Sequence, residues 1–201
     1  MHLKKEKLKM PPFPLTQKTT TIPFASLQSQ ESIPSLFQKP SYEFPENVPQ
    51  EYRSYVEEAS NHIGIPTDTL VKLINTENAQ WNPKQKGVVS PDDYGITQMS
   101  SSAVKSITGS RGRNYFKDNY GEEFDKENPR HQILAMGVHL NAMKQFDFPK
   151  FGINNPTLED LLLSYNLGVE GYIKAIRGKD KKKMQILENY RATLKKNGVL
   201  P

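Results

Sequence analysis

Glu77 is an ionisable acid placed where a hydrophobic residue is expected. The stretch LVKLINTENAQW, residues 70–81, sets Leu70, Leu73 and Ile74 at helical spacing, and Glu77 falls on the same side beyond Ile74. A carboxyl on an apolar helix face loses hydration, which disfavours its charged form and raises its pKa. Such an acid keeps its proton near neutral pH and can deliver it to a leaving group. The plain alternative is a solvated glutamate at a fraying helix end, the usual place for this residue type.

Other chemistries find little support. Cysteine is absent from the 201 residues, which excludes disulfides, thiol catalysis and cysteine-held zinc. His131 and His139 stand two helical turns apart, roughly 12 Å, too far to share a metal ion, so both read as ordinary polar positions. There is no phosphate loop, nucleophile elbow or metal-ligand spacing, and neither a metal nor a cofactor is expected. The net charge of +5 suits attraction to anionic polymers without choosing among them. The run KDKKKMQ, residues 179–185, reads as a solvated helix entrance, with attraction to such polymers as its alternative role.

The elements that must position Glu77 are mainly helical. Residues 1–48 are rich in Pro, Ser, Thr, Gln and Lys and are expected to form a flexible, extended arm, with a folded domain over 49–201. EYRSYVEEASNHIG predicts a helix with Tyr52, Val56 and Ala59 inward, closed by Gly64. IPTDTLVKLINTEN predicts the helix that carries Glu77, with Asp68 in its first turn. A loop rich in Pro, Gly and Asp follows, then a short helix ending at Gly109, and residues 110–127 read as a connecting loop. Asn128 and Pro129 open the next helix, with Ile133, Gly137 and Leu140 on one face. Thr157 and Asp160 have capping-box spacing ahead of LLLSYNLG. GYIKAI and MQILENYRATLKKNG add two more helical pieces. No apolar run reaches the roughly 18 residues of a membrane span. The basic start MHLKKEKLKM lacks an apolar segment after it, so a secretory signal is not expected.

Four pieces, taken in order, resemble one family. They are Glu77-Asn78 after an apolar helix, Gly95-Ile96-Thr97-Gln98, the helix ILAMGVHLNAM, and Ser164-Tyr165-Asn166-Leu167-Gly168. Their order and spacing are similar to the lysozyme-like domain of soluble lytic transglycosylases and goose-type lysozymes, over roughly residues 52–195. Asn78, Thr97 and Leu167 depart from the usual Ser, Met and Ala. The resemblance implies a lysozyme-like helical fold and a peptidoglycan-cleaving enzyme, with Glu77 as the catalytic acid. In the transglycosylases one glutamate protonates the oxygen between N-acetylmuramic acid and N-acetylglucosamine. It then takes the proton from the muramic acid's primary hydroxyl, closing an anhydro ring without consuming water.

The resemblance also implies cleft roles for Gln98, Met99, Tyr165 and Asn166, with Trp81 as a candidate platform for a sugar ring. On their residue types alone, Gln98 could equally cap the short helix, Tyr165 and Trp81 could pack in the core, and Asn166 could tie its helix to a loop. Goose-type lysozymes use loop aspartates to assist a water, a part open here to Asp92 or Asp93, although PDD is also a common surface turn. Three outcomes therefore stand: transglycosylase, hydrolase, or an inactive structural protein with a lysozyme-like shape. A specific nucleic-acid partner is not expected, because no recognition motif accompanies the charge. The implied partners are glycan strands and, through the arm, virion or secretion-apparatus proteins, with the protein virion-associated or delivered to the cell wall.

Overall fold

In the computed structural model the described residues are 42–87, 90–109 and 112–201, and they are mainly helical. Helix α1 spans Gln50–Ile63 and stops at Gly64, whose φ of 68° gives the left-handed turn that ends it. Helix α2 spans Thr67–Glu77. Two strands of two residues each, β1 (Asp93–Tyr94) and β2 (Met99–Ser100), pair antiparallel with Tyr94 opposite Met99. Helix α3 (Ser101–Thr108) follows directly, capped by the Ser100 hydroxyl, which accepts from the Ala103 amide.

Helix α5 (Pro129–Ala142) is the central strut. It starts as its sequence predicts, with the Asn128 side chain accepting from the Arg130 amide and Pro129 in the first turn. The expected single inward face is too narrow, because every residue from His131 to Leu140 is buried. Helix α1 covers one side of α5, while α3 and a further helix, α4 (Tyr115–Tyr120), cover others. A helix enclosed in this way loses the amphipathic period from its sequence. Gly137 permits the close approach of α1: a Cβ there would lie 3.3 Å from the Ile63 methyl and 3.6 Å from the Ala59 Cβ.

Two expectations change here. The predicted connecting loop at 110–127 contains α4, capped by Asn114 and closed by Gly121. Its anchor is Phe116, fully buried and edge-on to Phe124 at 5.3 Å, and one anchor in six residues leaves no readable period. LLLSYNLG and GYIKAI lie in one stretch, α6 (Leu158–Ile176), but Gly168, at φ 66° and ψ 160°, leaves helical geometry and divides it into the two helical pieces that the sequence predicts. Its start does carry the reciprocal cap: the Asp160 amide donates to the Thr157 hydroxyl at 3.1 Å, and the Thr157 amide donates back to the Asp160 carboxylate at 2.7 Å. Finally, residues 42–48, assigned to the arm, lie against the helices. Val48 is buried, Arg53 sits over the Phe44 ring, and the Tyr42 hydroxyl donates to Asp68 at 3.2 Å. The rest of the predicted arm lies outside the described residues.

Helix α7 (Lys181–Lys196) packs along α6 and also reaches α2, burying Leu187 and Leu194. That return of the last helix to the second closes the region around Glu77. Among the described residues, no helix is long and apolar enough to cross a membrane.

Candidate active site

Glu77 is the last residue of α2, one turn beyond the buried Leu73 and Ile74. The helix stops because Asn78 leaves helical geometry, at φ −154° and ψ 87°. Asn78 is itself buried and holds the following loop in place. Its side-chain amide donates to the carbonyls of Asn82 (2.9 Å) and Gly95 (3.2 Å), and its oxygen accepts from the Gln80 amide. The residue beside the acid thus fixes the loop and hairpin that form the facing wall.

That wall depends on two unusual backbone positions. Gly95 has φ 78°, and a Cβ there would stand 2.4 Å from the Gln132 side-chain oxygen. The same oxygen accepts from the Ile96 amide at 2.8 Å, and the Gln132 amide donates to the carbonyls of Pro83 and Lys126. Only glycine fits between this buried glutamine and the turn. Gln98, at φ 49°, takes a left-handed conformation that costs a non-glycine residue roughly 1 kcal/mol. Its amide donates to the Gly95 carbonyl at 2.7 Å and the Gln85 carbonyl at 3.3 Å. Ser100, not Gln98, caps α3.

Glu77, Asp93, Gln98, Met99, Tyr165 and Asn166 line one pocket of about 90 Å³, completed by Ser100, Ala103 and His139. Most of the positions singled out by their sequence context therefore meet in one place. The Glu77 carboxylate accepts from the Tyr190 hydroxyl of α7 at 2.5 Å. Burial pushes the Glu77 carboxyl up to about 7; the Tyr190 bond opposes that rise, and the charge of Asp93 adds to it. Near neutral pH the group is divided between its two forms, so it can give a proton and take one back.

Tyr165 donates its hydroxyl to the Thr97 carbonyl at 2.8 Å, which ties α6 to the hairpin. Burial, and then the charge on Glu77, raise its pKa well above the ordinary tyrosine value. The two groups thus feel each other, although Tyr190 makes the hydrogen bond. Asn166 is exposed at the pocket rim, and Met99 is buried in its wall.

The two aspartates separate. Asp93 faces the pocket, and burial followed by the neighbouring Asp92 charge raises its pKa. Asp92 is exposed and accepts from the Ser101 amide (3.2 Å) and hydroxyl (2.5 Å), so it holds the entrance of α3. Trp81 is not in the pocket. It is 1% exposed, its indole donates to the Asn75 oxygen at 2.7 Å, and its ring lies 6.5 Å from that of Tyr52. A ring enclosed in this way cannot stack on a sugar, which overturns the platform expectation.

Tyr190, which holds the Glu77 carboxylate, and His139, which lines the pocket, were not expected from the sequence. Tyr190 follows Leu187 by three residues and precedes Leu194 by four, so it stands on the buried stripe of α7 just as Glu77 stands on that of α2. That spacing was the available signal. His139 lines the pocket 8% exposed, with Nδ1 3.3 Å from the Ser106 hydroxyl and its ring edge-on to Tyr165 at 6.0 Å. On a helix buried all round, nothing in the local pattern marks it. His131 lies apart, where its Nδ1 accepts from the Asp125 amide.

Among the described residues, no group of three or more His, Asp or Glu side chains is arranged to hold a metal ion. Comparison of the chain with models of protein families, with curated proteins and with solved structures finds no match in any of the three.

Proposed function

We propose that the chain is a peptidoglycan lytic transglycosylase with a lysozyme-like domain, cleaving the bond between N-acetylmuramic acid and N-acetylglucosamine with Glu77 as its only proton-transfer group. The observation that carries this reading is the Glu77 carboxyl, raised to about 7 at the edge of a pocket lined by Gln98 and Tyr165. Protonated Glu77 would donate to the leaving oxygen. The resulting carboxylate, still held by Tyr190, would then accept the proton of the muramic acid's primary hydroxyl as the anhydro ring closes. The order of Glu77-Asn78, Gly95-Ile96-Thr97-Gln98 and Ser164-Tyr165-Asn166 along the chain supports the assignment. Delivery to the wall as part of a virion or an export apparatus belongs to the same proposal.

One feature favours a second reading. Asp93 lines the pocket with Glu77, and a second carboxylate there could assist a water and give hydrolysis. Digestion of purified murein, with mass spectrometry of the fragments, separates the two. Anhydro-muramic ends are expected, and they should vanish in Glu77→Gln. Reducing ends alone would transfer the assignment to a hydrolase. No cleavage by well-folded wild type would defeat both and leave a lysozyme-shaped structural protein.

A further inference from the structure

The hairpin that faces Glu77 borders a second cavity, of about 440 Å³ against about 90 Å³ for the Glu77 pocket. Asp93 and Tyr94 are neighbours in β1 and open onto different cavities, as successive strand side chains do: Asp93 lines the first and Tyr94 the second. Ser101, Val104, Lys105 and Thr108, at helical spacing on one face of α3, supply another wall, and Phe124 and Lys126 add to it. The volume falls within the roughly 300–1,000 Å³ of small-molecule sites. The chemistry proposed for Glu77 makes no use of it.

Its polar side chains are already committed. Thr97 donates its hydroxyl to the Gln132 carbonyl at 3.2 Å, Thr108 to the Val104 carbonyl at 3.1 Å, and Ser101 to Asp92 at 2.5 Å. The Tyr94 hydroxyl goes to Glu127 at 2.8 Å, and the Gln132 amide to the Pro83 and Lys126 carbonyls. Among the described residues, the side-chain donors left on the lining are the ammonium groups of Lys86, Lys105 and Lys126, all three exposed. Lys126 lies over the Tyr94 ring at 5.4 Å and reaches Glu127 at 3.7 Å, whereas Lys86 and Lys105 pair with no acid among the described residues. Asp92, the acid on the lining, has its two oxygens taken by the Ser101 amide and hydroxyl. The rest of the wall is apolar, with Met99, Val104 and the rings of Tyr94 and Phe124.

We infer that this cavity is a binding site for a small amphipathic anion, an apolar ring body carrying one acidic group. The body displaces water from Met99, Val104 and Phe124, and the acid accepts from Lys86 or Lys105 at the mouth. A sugar fits less well, because its hydroxyls need partners that the lining has spent on itself. An extended polyanion would meet the lysines and leave the apolar interior wet. Binding here is separate from the reaction assigned to Glu77 and does not depend on it.

The test uses the full chain and two dyes with the same ring system: 1-anilinonaphthalene-8-sulfonate, an anion, and the neutral N-phenyl-1-naphthylamine. Fluorescence titration is expected to show the sulfonate bound at least about tenfold more tightly than the neutral dye. K86Q/K105Q should weaken the sulfonate about tenfold, leave the neutral dye within about twofold and keep Tm constant. Val104→Trp fills the cavity and should weaken both dyes at least about fivefold. The lysine pair lies at the surface and decides the matter even where Val104→Trp disturbs the fold. Equal affinity for the two dyes, a sulfonate affinity that K86Q/K105Q leaves unchanged, or full binding by a folded Val104→Trp chain would overturn the inference. So would displacement of the bound dye by inorganic pyrophosphate, or by the N-acetylglucosamine tetramer, more readily than by naphthalene-1-sulfonate, because the site would then take a polyanion or a sugar.

Discussion

Replacing Glu77 with glutamine should make the protein more stable, and only above a definite pH. In the folded chain the Glu77 carboxyl titrates at about 7, against 4.5 for the ordinary group. Below pH 4.5 both the folded and unfolded chains hold the proton, and the site imposes no penalty. As pH rises from 4.5 through 7, the unfolded chain releases its proton first, so stability falls across that window. The difference of 2.5 pH units, at about 1.4 kcal/mol each, makes the loss about 3 kcal/mol by pH 8. Glutamine has nearly the same shape, can still accept from Tyr190, and never ionises. Denaturant unfolding of wild type and Glu77→Gln at pH 4.5 and pH 8 measures the effect. The variant should gain about 3 kcal/mol over wild type at pH 8, and that gain should be nearly absent at pH 4.5. A pH-independent difference, or a variant that is less stable at pH 8, would mean that Glu77 is hydrated and would remove the basis for its role as a proton donor.

Two further outcomes test its neighbours. Tyr190→Phe removes a hydrogen bond that favours ionised Glu77, so the Glu77 pKa should climb from about 7 by roughly one to two units, read by carbon NMR of the carboxyl; an unchanged or lower value would contradict the bond. Trp81→Phe should cost about 1–2 kcal/mol through the lost bond to Asn75, measured by denaturant unfolding, and leave KM for murein fragments unaltered. A raised KM in the folded variant would restore Trp81 to the substrate's side.

Local chemistry made much of the framework legible. The Asn128–Pro129 start, the Thr157–Asp160 reciprocal cap and the Gly64 stop each involve residues within one turn, so their spacing is enough to place them. Glu77 was legible for a similar reason, as an acid on the stripe that Leu70, Leu73 and Ile74 define. The short α4 and the all-round burial of α5 were not, since one depends on a single aromatic anchor and the other on neighbours from distant parts of the chain.

The sequence by itself determined that this chain is mainly helical and that one helix ends on an acid where apolar burial begins. It could not decide what closes over that acid. Tyr190 lies 113 residues further along, His139 carries no periodic mark, and Trp81 turned inward to Asn75 rather than outward to a ligand. Helical spacing specifies which face of a segment avoids water, but not which other segment will cover it. The separation of Asp93 from Asp92, and the rise of Glu77 to about 7, came only with the packing of α7 and the hairpin against α2. Desolvation is a property of the assembled surroundings, and no stretch of neighbouring residues contains it.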